Sequence, residues 1–265
     1  MKKTISIRAR LFILFFIIFM SSIIFLTYMA TRIVMQFGEY SAKENETSIK
    51  SQASFFLSRM THEKAMRCES IFERIAVSSA SLALHTAVTM NMADLPDQTP
   101  FRKPDMLTRP PGSRLYSNAP TDPVMVLYWG EESVHPGIIS RLNAMALMDP
   151  LLKNIIENNP EAVACFITSE KAITRYYPNF SSIIRKLGAD AYEIRDSDWY
   201  TAVRPENNPE RRTKWSDVYQ DPAGRGLMTT ALTPIYNAGD QFLGVTGVDV
   251  TLVNIIDKIL ADTGE

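Results

Sequence analysis

The hydrophobic and polar positions of this chain fall into one unbroken apolar segment near the start and a long remainder in which they alternate. The segment from Leu11 to Ala30 has twenty residues and no charged side chain. At about 1.5 Å of rise per residue, a helix of that length spans roughly 30 Å, the hydrocarbon thickness of a bilayer. Lys2, Lys3, Arg8 and Arg10 precede it. Such positive charge is typical of the cytoplasmic side, so the pattern predicts a membrane anchor with a cytoplasmic N-terminus.

A cleaved signal peptide is the alternative interpretation of this segment. The run exceeds the roughly 7–15 residues of a signal peptide's apolar region, and no clear small-residue cleavage site follows it. We therefore expect residues 1–10 in the cytoplasm and an uncleaved, single transmembrane helix over 11–32 in the inner (plasma) membrane. The rest of the chain then lies on the periplasmic or extracellular side.

The next part of the sequence is typical of one long helix. From Glu39 to Leu95 there is neither glycine nor proline. Ile49, Ala53, Phe56 and Met60 recur at intervals of four, three and four, which places them on one helical face. The pattern predicts a long extracytoplasmic helix over residues 33–95 and leaves open one break near residues 67–70. Such a helix could transmit displacement, act as a stalk or form a dimer seam.

Beyond this helix, short strands alternate with turns. Seven prolines between residues 96 and 123 predict a loop. Strands are predicted over residues 124–129, 162–168, 172–177, 215–219, 227–236 and 241–250. Helices are predicted over residues 138–158 and from Thr251, a suitable N-cap, onward. This order favours an α+β domain with one antiparallel sheet flanked by helices.

The composition excludes several classes of function. Lys and Arg number 28 against 29 Asp and Glu, a net charge of -1 that gives no electrostatic case for nucleic-acid binding. We find no catalytic motif or phosphate-binding loop, so no enzyme is expected. His62, His85 and His135 are scattered, and neither metal nor cofactor is predicted. Cys68 and Cys165 could form a disulfide, but two small buried hydrophobic residues are the favoured interpretation.

One group of residues has chemistry suited to a small cation. Its members combine aromatic rings with one acid, and they are Tyr192, Trp199, Tyr200, Tyr219 and Asp249. Aromatic faces attract an ammonium ion, and a carboxylate accepts charge-assisted hydrogen bonds from it. From spacing alone, ordinary core residues at a sheet edge are the favoured alternative. Four further acids form a loose group in the sequence: Asp196, Asp198, Asp217 and Asp221. Paired carboxylates could bind a cation or act as acid and base, but turn and cap residues in solvent are the favoured interpretation.

Three segments together resemble a known family. They are residues 166–179, which end in a Tyr-Pro pair, residues 198–202 with the Trp-Tyr pair, and residues 229–252, a closing meander. In order and spacing they resemble the extracytoplasmic double Cache sensor domains of bacterial chemoreceptors, sensor histidine kinases and diguanylate cyclases. The resemblance implies a PAS-like antiparallel sheet flanked by helices.

The resemblance also implies a ligand pocket built from the aromatic and acidic group. It carries over the positions Tyr192, Trp199, Tyr200, Tyr219 and Asp249. The Arg that clamps a ligand carboxylate in amino-acid-binding members falls on Ser197 here, and Ser cannot make that bidentate contact. Arg195 or Arg175 would have to take its place. Asp198, beside the aromatic pair, favours an amine.

Two functions remain open on the sequence. The first is a membrane-anchored sensor that binds an amine or amino acid and passes a conformational signal along its long helix, with homodimerisation through that helix. The second is a membrane-tethered interaction protein, or a receptor fragment that binds no ligand of its own. For either one we expect a membrane-distal Cache module over residues 96–252. Residues 253–265 would begin a connection to a membrane-proximal module that this chain lacks.

Overall fold

The computed structural model describes residues 6–92, 107–109, 111–130, 134, 136–186 and 194–261. By internal contacts the chain divides into two units, Met1–Glu63 and Lys64–Glu265. The helices of the described residues are α1 (Ile7–Met92), α2 (Pro136–Ala146), α3 (Asp149–Asn158), α4 (Ser181–Lys186), α5 (Asp198–Thr201) and α6 (Leu252–Ala261). The strands are β1 (Leu115–Ser117), β2 (Met125–Trp129), β3 (Ala162–Ser169), β4 (Ile173–Tyr177), β5 (Lys214–Trp215), β6 (Tyr219–Gln220), β7 (Leu227–Tyr236) and β8 (Phe242–Thr251).

The first unit is the N-terminal part of α1. Within the described residues, α1 is the one helix that is long and apolar enough to cross a membrane. The side chains of its apolar segment are exposed rather than packed into a core. A signal sequence passes the same test of length and composition, so the uncleaved anchor stays a prediction.

In the second unit, helix α1 continues without a break through residues 67–70, where the sequence left one open. No residue there disrupts the backbone ladder. On the same stretch Ile71 and Ile75 are buried in the core, and the half-buried Cys68 packs against it. Packing of this apolar face stabilises the helix where propensity alone does not decide.

One antiparallel sheet forms the centre of the second unit. The strand order is β1-β2-β4-β3-β8-β7-β5, and β6 also pairs with β7. Strands β7 and β8 form the longest pair, with a register that runs from Met228 opposite Thr251 to Tyr236 opposite Phe242. This sheet, with its flanking helices, confirms the predicted α+β class.

Three predicted elements differ in detail. The helix expected over residues 138–158 is two helices, because Pro150 lies in the first turn of α3 and has no N–H to continue the ladder of α2. The strand expected over residues 215–219 is split into β5 and β6. There the Ser216 hydroxyl accepts a hydrogen bond from the backbone N–H of Thr230 at 3.0 Å, which interrupts regular pairing. Strand β1 lies in a region that was expected to be loop.

The sheet buries a different hydrophobic cluster on each face. The first cluster packs α1, α2 and α3 on the sheet, and its members include Ile75, Leu82, Met145, Leu152, Ile167, Val248 and Val250. The second cluster covers the opposite face and includes Met125, Phe166, Tyr176, Tyr200, Leu232 and Val245. Because side chains alternate along a strand, β7 and β8 contribute to both faces.

A buried group of hydroxyls fixes α1 on the strand pair β7–β8. Ser79, which is fully buried, donates to the Ala231 carbonyl at 3.0 Å and accepts from the Thr233 hydroxyl at 2.9 Å. The Thr246 hydroxyl donates to the Ser79 carbonyl at 3.0 Å. Each of these polar atoms therefore has a partner, and the helix has a defined position against the strands.

We expect Ser79→Ala to lower the free energy of unfolding by about 1–3 kcal/mol, because it removes the buried hydroxyl that bonds both the Ala231 carbonyl and the Thr233 hydroxyl. The measurement is equilibrium denaturation of the full chain in detergent. Ser70→Ala is the matched control, because Ser70 is exposed on the same helix and its change should stay within about 0.5 kcal/mol. Equal effects of the two variants would contradict a positioning role for Ser79.

Candidate functional site

A cavity of about 480 Å³ opens on the face of the sheet that carries the second cluster. Its walls come from β3, β4, α4, α5, β6, β7, β8 and the loop between β6 and β7. The lining residues are Phe166, Tyr176, Phe180, Ile184, Ile194, Trp199, Tyr219, Asp221, Pro222, Ala223, Arg225, Met228, Thr230 and Asp249. Most of these side chains are apolar or aromatic, and a few polar groups converge among them, which is typical of small-molecule sites.

Asp249 is the buried acid of this cavity. Its side chain lies on β8 directly opposite Thr230 of β7, and the residue is 3% exposed. Its two oxygens accept hydrogen bonds from the Tyr176 hydroxyl at 2.6 Å and the Thr230 hydroxyl at 2.8 Å. Burial nevertheless raises the pKa of Asp249 above its usual value, because desolvation outweighs these bonds.

A second acid, Asp221, holds the cation of the cavity. Its carboxylate accepts from the Ala223 N–H at 3.0 Å, the Arg225 N–H at 3.1 Å and the Arg225 Nε–H at 2.6 Å. Gly224 and Gly226, at φ +85° and +95°, allow the turn that brings these donors together. Burial favours the protonated form of Asp221, but the bonds from Arg225 and Ala223 lower its pKa overall.

The guanidinium of Arg225 extends from this turn to the aromatic side of the cavity. Its Nη2 donates to the Tyr176 hydroxyl at 3.0 Å, and its carbon lies 5.6 Å from the centroid of the Phe180 ring. A chain of hydrogen bonds thus runs from Asp221 through Arg225 and Tyr176 to Asp249. Burial lowers the pKa of Arg225, but its hydrogen bonds and charge interactions with Asp221 and Tyr176 together raise it more, so the group stays charged.

The aromatic wall consists of rings in mutual contact. Phe166 stacks on Tyr176 with centroids 5.7 Å apart and meets Trp199 edge-on at 5.0 Å. Tyr176 meets Phe180 at 4.4 Å. Burial raises the pKa of Tyr219, whose neutral hydroxyl lies 2.9 Å from that of Thr230. These contacts fix the ring positions without a ligand.

The structure brings together three of the seven residues that the sequence singled out. Trp199, Tyr219 and Asp249 line the cavity. Tyr192 lies outside the described residues.

The other three lie outside the cavity lining for local reasons. Ser197 caps α5, and its hydroxyl donates to the Ile194 carbonyl at 2.6 Å. Asp198 follows it in the first turn and is exposed. Tyr200 is fully buried on the far side of the short helix, where its hydroxyl donates to Glu170 at 2.6 Å.

Neither arginine considered as a substitute at the Ser197 position lines the cavity. Arg175 is bonded to Asp149 through its Nε and Nη2 at 2.7 Å and 2.5 Å. Arg195 donates to the Glu170 carbonyl at 2.8 Å. The arginine that does line the cavity, Arg225, follows Gly224 in a turn and was not considered.

Six polar or aromatic lining residues were missed by sequence reasoning as site residues: Phe166, Tyr176, Phe180, Asp221, Arg225 and Thr230. Strand alternation offered a signal for one of them, because Thr230 shares a face with Leu232 and lies opposite Asp249 in the β7–β8 register. Within the described residues no group of three His, Cys, Asp or Glu side chains could hold a metal ion. The chemistry on offer is therefore ionic, hydrogen-bonding and aromatic.

Residues 148–257 match the family model of the methyl-accepting chemotaxis protein-like, first PDC sensor domain. This segment is similar to the Cache-type sensor modules of chemoreceptors. The match confirms the resemblance found in the sequence, and it spans every residue that lines the cavity. The family is non-catalytic.

Solved chemoreceptor domains are similar to this chain. The ligand-binding domain of the amino acid chemoreceptor PctC from Pseudomonas aeruginosa PAO1, in complex with GABA, is 15% identical, with a TM-score of 0.42 over 78% of this chain and 67% of that one. That of PctB from the same organism, with L-Gln, is 17% identical, with a TM-score of 0.42 over 79% and 60%. The sensory domain of Campylobacter jejuni Tlp3 is 14% identical, with a TM-score of 0.36 over 75% and 69%. This chain thus spans 67% and 60% of the length of the first two domains. No curated protein matches its sequence significantly.

Proposed function

We propose that this chain is the ligand-binding part of a membrane-anchored sensor and that its ligand is a small molecule with an ammonium group, an amine or an amino acid. The observation that carries this proposal is the buried carboxylate of Asp249 at the cavity wall. A perturbed acid in a cleft is a candidate functional group, because burial of a charge is costly unless something compensates it. A bound ammonium would provide that compensation.

The cavity has the further chemistry that an ammonium ligand needs. Each oxygen of Asp249 accepts one hydrogen bond from the protein among the described contacts, and a carboxylate oxygen can accept two. The rings of Trp199, Phe166 and Tyr176 offer faces for cation–π contact and for the apolar part of the ligand. A cavity of about 480 Å³ suits a molecule of amino-acid size.

The strand pair β7–β8 offers a physical route for a signal. Asp249 and Thr230 face the cavity, while Thr246 and Thr233 of the same strands bond to Ser79 of α1. A ligand shifts a sensor only when it binds one arrangement better than the other. We propose that ligand binding changes the position of α1 against β7–β8, that α1 carries the change toward the membrane, and that two copies pair through this helix.

The test is calorimetric titration of the full chain in nanodiscs with amines, amino acids and small carboxylates. We expect compounds with an ammonium group to bind and to raise the melting temperature by mass action, and carboxylates without one to fail. Folded protein that binds no compound, or that binds carboxylates equally well, would contradict the proposal. The first outcome would favour a tethering role.

The cavity also depends on a glycine beneath the aromatic wall. Gly247 of β8 lies opposite Phe166 of β3, and a Cβ at Gly247 would lie 2.2 Å from the Phe166 ring. Gly247→Ala should therefore push Phe166 toward Trp199 and weaken ammonium binding by about tenfold, at a cost of roughly 1–3 kcal/mol of stability. Titration with the best amine and thermal unfolding measure the two effects.

Gly239→Ala is the control for this prediction. Gly239 lies in the exposed turn between β7 and β8, where an added Cβ meets only the Asn237 side chain at 3.4 Å. The affinity of Gly239→Ala for the best amine should match that of the unaltered protein. Wild-type affinity in Gly247→Ala would show that Phe166 does not contact the ligand.

A further inference from the structure

We propose that the ion pair between Asp221 and Arg225 makes this cavity select amines against the corresponding α-amino acids. The inference rests on the proposed function, because it concerns the ligand class of the same site. It assigns Asp221 a specificity-determining role that acts through Arg225.

Arg225 is the only Lys or Arg among the described residues that line the cavity. A ligand carboxylate placed there would depend on it, because bidentate capture needs two parallel N–H groups from one edge of a guanidinium. The question is therefore whether either edge of Arg225 is open to a ligand.

Both edges already face acceptors of the protein. On one edge Asp221 accepts from Nε at 2.6 Å and, more weakly, from Nη2 at 3.5 Å. On the other, Nη2 donates to the Tyr176 hydroxyl at 3.0 Å and Nη1 to the Val163 carbonyl at 3.4 Å. A ligand carboxylate would have to displace one of these partners.

The charges of the cavity also favour an amine over an α-amino acid. Asp221 neutralises Arg225, so the cavity carries one negative charge whenever the carboxyl group of Asp249 is ionised. An amine restores neutrality when it binds. An α-amino acid brings a carboxylate as well, which must be desolvated near two acids without a free cation, and such an uncompensated charge acts against binding.

Asp221 is itself held firmly in this role. Its side chain is 4% exposed and accepts from the backbone N–H groups of Ala223 and Arg225. The turn thus fixes the acid, and the acid fixes the guanidinium. Asn at this position keeps an oxygen for the Ala223 N–H but loses the charge that neutralises Arg225.

The experiment uses pairs of compounds that differ only by an α-carboxylate: tyramine and tyrosine, histamine and histidine, agmatine and arginine, cadaverine and lysine. Each is titrated calorimetrically into the full chain in nanodiscs. For every pair with a binding member, we expect the amine to bind at least about tenfold more tightly. In Asp221→Asn, the freed guanidinium should change this ratio by at least about tenfold in favour of the amino acid.

Two further variants keep the test decisive. Asp240→Asn breaks the exposed pair with Arg211 and should leave the ratio unchanged. The double variant Asp221→Asn, Arg225→Gln removes both members of the pair, so the net charge of the cavity and the ratio of amine to amino-acid affinity should match those of the unaltered protein. Because it leaves no unpaired buried charge, it can be measured even when Asp221→Asn does not fold. A ratio shifted toward the amine in this double variant would overturn the inference, because it would mean that Arg225 holds a ligand carboxylate in the unaltered protein.

The outcomes separate the inference from the proposed function. Amino acids that bind the unaltered protein as tightly as their amines, or a ratio unchanged in folded Asp221→Asn, would overturn the inference and leave the sensor function standing. Absence of binding by both members of every pair would overturn both.

Discussion

Asp249→Asn is expected to remove most of the affinity for an ammonium ligand while the sensor module stays folded. The substitution keeps the shape of the side chain and removes the charge that the ammonium would meet. Loss of one partner from a buried, hydrogen-bonded charge pair costs about 2–5 kcal/mol, which is roughly thirtyfold or more in affinity. The measurement is calorimetric titration of the full chain in nanodiscs with the tightest-binding amine.

The fold should tolerate this change because both hydroxyl partners of Asp249 can reorient. The Asn oxygen can accept from Tyr176 or Thr230, and the other hydroxyl can accept from its amide. Asp198→Asn is the matched control, since Asp198 is exposed beside Trp199 and does not line the cavity. An Asp249→Asn variant that binds within threefold of wild type would refute the proposed site.

A dependence on pH should accompany this site. Burial raises the pKa of Asp249 above 3.8, and the charged or titratable groups that face it are Tyr176, Tyr219, Asp221 and Arg225. Because an ammonium binds the carboxylate form, affinity should be constant above the raised pKa and fall as pH decreases through it. Titrations over a pH series should show this fall in wild type, and a flat profile at acidic pH would contradict the assignment.

The raised pKa of Asp249 also affects the stability of the ligand-free protein, but there the change with pH has the opposite sign to the change in ligand affinity. A carboxyl whose pKa is raised by folding binds more protons in the native state than in the unfolded state. The free energy of unfolding should therefore decrease as pH rises from about 3.8 to the raised pKa and show no further contribution from Asp249 above it. Asp249→Asn should lack this contribution, which denaturation at several pH values can measure.

The sequence predicts those parts of the site that depend on local chemistry. Aromatic residues and an acid near the end of a strand suggested a cation site, and Trp199, Tyr219 and Asp249 do meet at one cavity. Thr251 was expected to cap the last helix, and its hydroxyl accepts from the Asn254 N–H at 3.3 Å. Signals of this kind need only a few neighbouring residues.

The missing parts of the site depend on contacts between distant residues. Tyr176 of β4 bonds to Asp249 of β8 across the single strand β3 that lies between them in the sheet. Periodicity in the sequence does not reveal this strand order. Asp221 was assigned to a turn and does form one, but its second role requires knowing that the turn faces Tyr176. Likewise β1 forms because it pairs with β2, although the segment around it is rich in proline.

A large effect on stability is expected on the opposite side of the module, from Asp149→Ala. Arg175 on β4 is 1% exposed, and its Nε and Nη2 donate to the two oxygens of Asp149 at 2.7 Å and 2.5 Å. Removal of one member of a buried ion pair costs about 3–5 kcal/mol. Equilibrium denaturation of the full chain in detergent should show this loss as a lower midpoint.

The same helix supplies a control that separates burial from charge. Glu157 of α3 pairs with Lys153 at 3.6 Å, and both side chains are exposed, so Glu157→Ala should cost no more than about 1 kcal/mol. The double variant Asp149→Ala, Arg175→Met removes both buried charges and should recover part of the loss. If Asp149→Ala costs no more than Glu157→Ala, the buried pair does not hold α3 to β4.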